Sequence, residues 1–290
     1  MTTSRVTISG PKLLPLIYSE IVKTYLKWRT YIGFIAISVL VPLVQFGLKW
    51  DGGSGIKSMT RGLEQDFFLL GNLFNGYFVT QIIMNSLWVH IPFLISLVAG
   101  DQLAGEGTGG TFRLMLIRPA SRSLVLMAKY MTTLFYTSSL VVFLGVLSLG
   151  LGMALFGSGD LIVPGKILLI LPKSELLWRF ALAFGLAIWS MWCVASLAFL
   201  FSSLVENAIG PIIGTMTVII VFLIISNLPV ELFTVVRPYL FTTYLTVWQQ
   251  ALEDPIPWST ILSSILKLAG FSIGFYAATW YIFVKKDILS

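Results

Sequence analysis

Hydrophobic and polar positions are grouped in long blocks along this chain. Six apolar runs are each long enough to cross a bilayer core, which takes about 20 helical residues. They lie near residues 31–49, 78–100, 126–156, 178–202, 208–228 and 264–284. The third run is overlong, which predicts a helix that is tilted or extends beyond the membrane. The pattern predicts an all-α membrane protein with six transmembrane helices in one domain over residues 1–290.

An amphipathic segment, at about residues 12–29, precedes the first run. Apolar residues recur there at helical spacing, and charged residues fall on the opposite face: Leu14, Ile17, Tyr18, Ile21, Tyr25 and Trp28 against Lys12, Glu20, Lys23 and Lys27. This pattern predicts an interfacial helix with its apolar face in lipid and its lysines at the headgroups. The alternative is a soluble helix packed on a partner.

The segment between the fifth and sixth runs, residues 229–263, is apolar but interrupted by prolines. Its two apolar pieces, VELFTVV and YLFTTYLTVW, are each too short to span a bilayer. A re-entrant or interfacial hairpin is therefore expected before the last span, on the extracytoplasmic side.

Composition agrees with a membrane protein. The chain is 57% hydrophobic and 11% charged, more apolar than a water-facing surface allows. It has one cysteine, Cys193, and one histidine, His90. We therefore expect no disulfide within the chain and no metal site. The N-terminal region is basic and has no short apolar core followed by a small-residue cleavage site, so no cleaved signal peptide is expected.

The distribution of charge predicts the orientation. The net charge of +6 could suggest that the chain binds nucleic acid, but the distribution of the charges along the six-span arrangement indicates membrane topology instead. The side with both termini carries eleven basic and five acidic residues, and the other side carries eight of each. Basic residues are retained in the cytoplasm, so both termini are expected there and no nucleic-acid partner is expected.

A glycine-rich stretch, GEGTGG at residues 105–110, fits G-x-G-x-x-G. A dinucleotide site needs a preceding strand and an acidic residue about 20 positions later, and this stretch has neither. No G-x-x-x-x-G-K-[ST] pattern occurs in the chain. The sequence therefore predicts no cofactor bound by this chain.

The residues after the glycines form a short predicted helix, Thr111 to Ile117, which Pro119 ends. Arg113, Arg118 and Arg122 would project into the cytoplasm beside Glu106. Physical reasoning leaves two interpretations equally open. The helix could receive a mechanical push from a soluble partner, or the segment could be an ordinary basic loop that anchors the topology.

This region resembles the first cytoplasmic loop of ABC-2-type transporter permeases. The resemblance lies in Glu106-x-Thr108, then Leu114 and Leu116, then RPASR, then Lys129. The Thr108 to Thr111 region has an extra glycine, and the usual acid after the threonine is missing. The order of elements along the whole chain is also similar to that family.

The resemblance implies a coupling helix at about 105–123 that docks on a separate ATPase subunit, which binds ATP and Mg. A smaller contact would come from the second inner loop. The implied coupling residues are Gly105, Glu106, Gly107, Thr108, Arg113, Leu116, Arg118, Pro119, Ser121, Arg122, Ser203, Glu206 and Asn207. It further implies two ATPase copies, a second permease copy or paralogue, and a bacterial plasma or inner membrane.

Four polar residues within the spans, Gln81, Asn85, His90 and Tyr136, have two interpretations. Hydrogen bonds between helices are favoured, because His90 has no acid within the membrane to pair with. The alternative is a substrate path facing a water-filled cavity.

The leading hypothesis is thus a non-enzymatic permease subunit that couples a partner's ATP hydrolysis to export of an unidentified substrate. A permease that transmits force to an extracytoplasmic accessory protein is equally compatible. The alternatives are an ion-coupled secondary transporter, which would need buried charges or repeated halves, and a multipass membrane scaffold. An intramembrane enzyme lacks a catalytic set in this sequence.

Overall fold

The computed structural model describes residues 13–50, 74–108, 121–163 and 169–285. Most of these residues are helical. The α-helices are α1 (Leu13–Tyr25), α2 (Trp28–Trp50), α3 (Gly76–Leu87), α4 (His90–Ala99), α5 (Asp101–Thr108), α6 (Arg122–Phe156), α7 (Lys173–Leu204), α8 (Ile209–Asn227), α9 (Glu231–Val236) and α10 (Trp258–Lys285). Two 3-10 helices, Arg237–Tyr239 and Phe241–Leu252, lie between α9 and α10.

The long helices run alternately in opposite directions between two ends of a bundle. The basal end holds α1, the starts of α2, α6 and α8, and the ends of α5, α7 and α10. The opposite, apical end holds the other helix ends. Hydrogen bonds tie the helices at both ends: Ser202 Oγ to Gly100 O at 2.6 Å at the basal end, and Gly76 N to Gly157 O at 2.9 Å at the apical end.

Five helices are long and apolar enough to cross a membrane: α2, α6, α7, α8 and α10. Each covers most or all of a predicted span, and α6, α7 and α10 also begin four to six residues before theirs. Together with the bent pair described next, they give the chain the architecture of an all-α, multi-pass membrane protein. The predicted fold class is confirmed at that level.

The predicted continuous span at 78–100 is wrong in one respect, because the helix breaks between Leu87 and His90. The two parts are bent by 59°. Pro92 explains the position of the break: a proline has no amide hydrogen, and its ring clashes with the carbonyl four residues earlier, here that of Trp88. Helical structure then continues past Gly100 to Thr108, beyond the predicted end of the span.

Helix α7 is the centre of the bundle. Two thirds of its most apolar window (67%) is buried, against 17% in α8 and in α10. Its buried positions include many small side chains, such as Ala183, Ser190, Ala195 and Ala198. Small residues let neighbouring helices approach closely in a membrane, where lipid tails are as apolar as leucine.

The apical end carries the two features least like a simple bundle. Strands β1 (Leu161–Val163) and β2 (Leu169–Leu171) form an antiparallel pair with Leu161 opposite Leu171, which the sequence analysis did not predict. The long 3-10 helix starts with Phe241, packed on Phe222 and Phe275 well inside the bundle. It ends next to Arg179, whose Nη1 donates to Glu253 O at 2.8 Å.

Gly76 and Gly152 lie against each other where α3 packs on α6. A Cβ on Gly76 would lie 2.5 Å from the carbonyl carbon of Gly152. Replacing Gly76 with alanine should therefore separate the helices and lower stability by about 1–3 kcal/mol, the usual cost of overpacking. The measurement is the thermal unfolding midpoint of the purified protein in detergent.

Gly150 is the matched control. It lies in the same helix as Gly152, and a Cβ on Gly150 would have no other atom within 4 Å. Gly150→Ala should leave the midpoint unchanged or raise it, because alanine favours helix. Equal effects of the two substitutions would contradict the close contact.

Candidate functional site

Charged side chains gather at the basal end, where α1, the link from α1 to α2, α5 and α6 meet. We call this group the basal ion cluster. It consists of Glu20, Lys23, Lys27, Arg29, Asp101, Glu106 and Lys129. Its members lie between residues 20 and 129 of the sequence, so only folding brings them together.

Lys129 is the centre of the cluster. Its side chain is 1% exposed, and its Nζ lies 2.7 Å from Glu20 Oε2 and 2.6 Å from Glu106 Oε1. Both distances are typical of strong, charge-assisted hydrogen bonds. The lysine therefore joins three helices: α1 through Glu20, α5 through Glu106, and its own helix α6.

Lys23, on α1, is the second cation that contacts these glutamates. Its Nζ donates to Glu106 Oε1 and lies 3.9 Å from Glu20 Oε1. These two lysines and two glutamates balance in charge. That balance matters because desolvating an ion is compensated only when partners of opposite charge replace the water.

Asp101 fixes the link between α1 and α2. Lys27 Nζ lies 2.9 Å from Asp101 Oδ2, and Arg29 Nη1 lies 2.7 Å from Asp101 Oδ1. Gly105 makes room for this carboxylate, because a Cβ there would clash with Asp101 Oδ1. One glycine of the GEGTGG stretch thus has a packing role one helical turn after an acid.

Ser202, near the end of α7, holds α5 in place. Its Oγ accepts hydrogen bonds from the backbone N–H groups of Leu103 and Ala104, both at 3.0 Å, and donates to Gly100 O. These bonds satisfy backbone groups where α4 ends and α5 begins, around Gly100. The basal end of α7 is therefore connected to the same short helix as the ion cluster.

Helix α1 has an exposed apolar side and a charged side that contacts the bundle. Apolar residues point away from the protein: Leu14 is 78% exposed and Tyr18 71%. Lys23 and Lys27 reach acids of the bundle while 41% and 37% of their side chains stay exposed, and their position at the headgroups stays a prediction. Burial of their partners explains this, since an acid near 3–9% exposure requires a nearby cation.

Tyr25 completes the packing of α1 on α6. Its hydroxyl and Ser139 Oγ are 2.5 Å apart, and its ring contacts Phe135 and Tyr136 edge to face. Burial raises the pKa of the Tyr25 hydroxyl above its ordinary value, and the bond to Ser139 partly opposes that rise. The group is neutral at physiological pH and acts as an anchor.

The residues predicted to couple to a partner have different outcomes. Outside the described residues lie Arg113, Leu116, Arg118 and Pro119, and Gly107 and Thr108 are described only as part of the helix α5. Glu106 is the buried acid described above. Ser121 caps α6 by accepting from Leu124 N at 3.3 Å.

Arg122 and the second loop complete this comparison. Arg122 was expected beside Glu106, but its Nη1 donates to Val284 O at 3.5 Å, at the end of α10. Ser203 is buried and bonds within α7. Asn207 accepts from Gly210 N at 2.8 Å, and Glu206 is exposed.

The four residues of the predicted substrate path do not share one surface. Tyr136 is fully buried and donates to Thr30 O at 3.4 Å, and Gln81 is also buried. Asn85 and His90 are exposed. Asn85 Oδ1 accepts from Gln249 Nε2 at 2.9 Å, so a hydrogen bond between elements does form, as the favoured interpretation predicts.

Sequence reasoning missed two parts of the polar structure. Ser202 precedes the predicted Ser203 by one residue, and nothing in the local pattern distinguishes the two. Lys267 is not among the predicted functional residues, although it lies inside the predicted span 264–284. A lone lysine in an apolar run was the available signal.

The arrangement at the basal end suits a mechanical role. Among the described residues, no group of His, Cys, Asp and Glu could hold a metal ion. The cluster pairs its ions and joins α1, α5 and α6.

Comparison with known proteins gives two matches. Residues 67–289 match the model of a family described as "Protein of unknown function (DUF2705)". The chain is also 26% identical over 204 residues to "Uncharacterized protein YhcI" of Bacillus subtilis (strain 168). That match covers 66% of this chain and 63% of the relative, so the chain spans less than two thirds of the relative's length.

Lys129 gives the sharpest test of the cluster. Lys129→Met leaves two buried carboxylates with one cation fewer, and losing one member of a buried pair typically costs about 3–5 kcal/mol. We expect a large fall in the thermal unfolding midpoint in detergent. Lys49→Met, at an exposed lysine of α2, should change it little. Equal midpoints for the two variants would contradict a central role for Lys129.

Proposed function

The chain belongs to the DUF2705 family, and we propose that it is the permease subunit of an ATP-driven, ABC-2-type transporter. In this proposal a separate ATPase subunit, in two copies, binds ATP and Mg. This chain binds neither and is not an enzyme. It converts the motion of the ATPase into a change of the transmembrane bundle.

The observation that supports this proposal is the basal ion cluster. Glu106 and Lys129 lie on either side of segment 109–120, and they are ion-paired at 2.6 Å in a site where both are nearly fully buried. Both residues belong to the ABC-2-like motif. Their pairing gives that motif a physical purpose, because it closes the base of the loop that would carry the coupling helix.

The proposed mechanism follows from this closure. A push on the coupling helix, at about 105–123, reaches α5 and α6 together and passes to α1 through Glu20 and Lys23. Ser202 carries the same displacement to α7 at the centre of the bundle. The bundle then shifts between two populated states, and the ATPase supplies the free energy for that shift.

The proposed topology has six spans, with the bent α3–α5 unit as the second. Both termini and the ion cluster face the cytoplasm, and the membrane is a bacterial plasma or inner membrane. The apical 3-10 helix Phe241–Leu252 is the re-entrant part of an extracytoplasmic hairpin. Helix α1 lies in the cytoplasmic interface with Leu14 and Tyr18 toward lipid.

A second permease, identical or paralogous, completes the proposed unit. The output is export of a substrate, or force transmitted to an extracytoplasmic accessory protein at the apical end. An ion-coupled secondary transporter and a multipass scaffold are the competing functions. Both predict a chain that works without an ATPase.

Affinity purification of the tagged chain in mild detergent, with mass spectrometry and an ATPase assay, tests the proposal. We expect a stoichiometric protein with a Walker A motif. Arg113→Glu and Glu206→Lys should each reduce its recovery at least about tenfold, because like charges facing each other across an interface cost several kcal/mol.

Lys173→Glu is the matched control, since it reverses an exposed charge at the apical end. Its recovery of the ATPase should equal that of the wild type. A chain that purifies without any ATPase, in conditions that preserve a known ABC transporter complex, would refute the proposal and favour the ion-coupled or scaffold alternatives.

A further inference from the structure

The corner between α1 and α2 carries two cations beside one acid. Lys27 Nζ and Arg29 Nη1 lie 2.9 Å and 2.7 Å from the two oxygens of the Asp101 carboxylate, so the cationic groups lie on either side of the same acid. The other two lysines and two glutamates of the basal ion cluster balance in charge. Among the described residues, this corner therefore carries one unit of excess positive charge.

The two cations keep hydrogen-bonding capacity beyond Asp101. In the part of the chain that the structure describes, each makes one hydrogen bond to this carboxylate. A lysine ammonium and an arginine guanidinium have several N–H donors each, so both side chains can also bind an external anion. The side chains of Lys27 and Arg29 are 37% and 59% exposed, whereas that of Asp101 is 9% exposed. The cations are therefore accessible from outside, and the acid is largely shielded.

An exposed apolar face of α2 gives the depth of this corner. Trp28 and Trp50, the first and last residues of α2, lie on that face and are 72% and 95% exposed. The exposed residues between them on this face are apolar: Ile35, Val39, Leu43 and Phe46. At 1.5 Å per residue the two tryptophans are about 33 Å apart, close to the separation of the aromatic belts of a bilayer. Trp28 therefore lies at the basal membrane interface, with Lys27 and Arg29 on either side of it in the sequence.

The exposed apolar surface continues from α2 along α1. Leu14, Tyr18 and Val22 recur at helical spacing on one face of α1, and Leu26 extends this row past the end of the helix. Leu26 is 80% exposed, so exposed apolar side chains precede and follow Lys27. Apolar side chains next to basic ones are typical of a segment that lies in a membrane interface, where the cations stay at the level of the headgroups.

We propose that Lys27 and Arg29 together bind the headgroup phosphate of an anionic lipid in the basal leaflet. Leu26 and Trp28 pack beside the acyl chains of that lipid. A guanidinium and an ammonium form strong, charge-assisted hydrogen bonds with phosphate oxygens, and the excess positive charge favours an anionic lipid over a zwitterionic one. As a binding site this inference needs only that α2 crosses the membrane. As a means of regulating the coupling loop, through Asp101 in α5, it rests on the proposed function.

Native mass spectrometry of the full chain tests the site. The protein is released from nanodiscs that contain equal amounts of dioleoyl phosphatidylglycerol and dioleoyl phosphatidylcholine, and the ratio of the two retained lipids is measured. The double variant Lys27→Gln/Arg29→Gln removes both cations and leaves the acid. It should lower the ratio of phosphatidylglycerol to phosphatidylcholine about 25-fold, since each basic residue near an anionic lipid surface accounts for about fivefold, equivalent to about 1 kcal/mol.

Asp101→Asn gives the opposite prediction. Asparagine keeps one oxygen that can accept from Lys27 and Arg29, but it removes the negative charge, so the ratio should rise about fivefold. The triple variant Lys27→Gln/Arg29→Gln/Asp101→Asn leaves no uncompensated acid at this corner. It provides a second test if the double variant fails to fold, and its ratio should be about fivefold below that of the wild type.

Lys49→Gln/Lys173→Gln is the matched control. It removes the same number of positive charges, from two exposed lysines at the apical end. In the described part of the chain, neither lysine shares a carboxylate with another cation. The ratio should change little, because a lone flexible lysine loses side-chain entropy when it holds an ion at a surface.

Three results would overturn the proposal. A wild-type ratio in the double and triple variants would show that the corner binds no anionic lipid. An equal fall in the control would assign the effect to the overall charge of the protein. Displacement of phosphatidylglycerol by millimolar inorganic phosphate would assign the site to a soluble anion. None of these readouts needs the ATPase, so failure here is distinct from failure of the proposed function.

Discussion

The buried ion pair between Lys129 and Glu106 is the interaction on which the basal half of this protein depends. A lysine at 1% exposure is stable only when its charge is compensated. The compensation comes from two helices that are remote in sequence, α1 and α5. The charge requirement therefore fixes where α1 lies and directs its polar side toward the bundle. Its apolar residues Leu14 and Tyr18 are then left exposed on the other side.

The same constraint connects α5 to the other helices of the basal end. Helix α5 is too short to be stable alone, and eight residues cannot form a persistent helix in water. It is held by Lys129 and Lys23 on one side and by Ser202 on the other. A segment attached to this helix has a rigid base, which a device that transmits a push requires. The proposed coupling role rests on that rigidity.

The cations of this protein are compensated in different ways. At the basal end, and at Arg179 near the apical end, cations meet carboxylates of the same chain. Lys267, on an exposed face of α10, instead meets only a tyrosine among the described residues. Paired charges therefore mark contacts between elements of the fold.

Sequence by itself determined the fold class, the approximate span positions and the amphipathic character of α1, because apolar length and helical periodicity are local properties. Even the break at Trp88 could have been read from Pro92. The partners of Glu20, Lys23 and Asp101, the face that α1 turns to the bundle, and the burial of Tyr136 were decided by the tertiary structure. The sign of a side-chain charge can be read from the sequence, but its ion-pair partner cannot. Only packing decides which opposite charge replaces the water around that side chain.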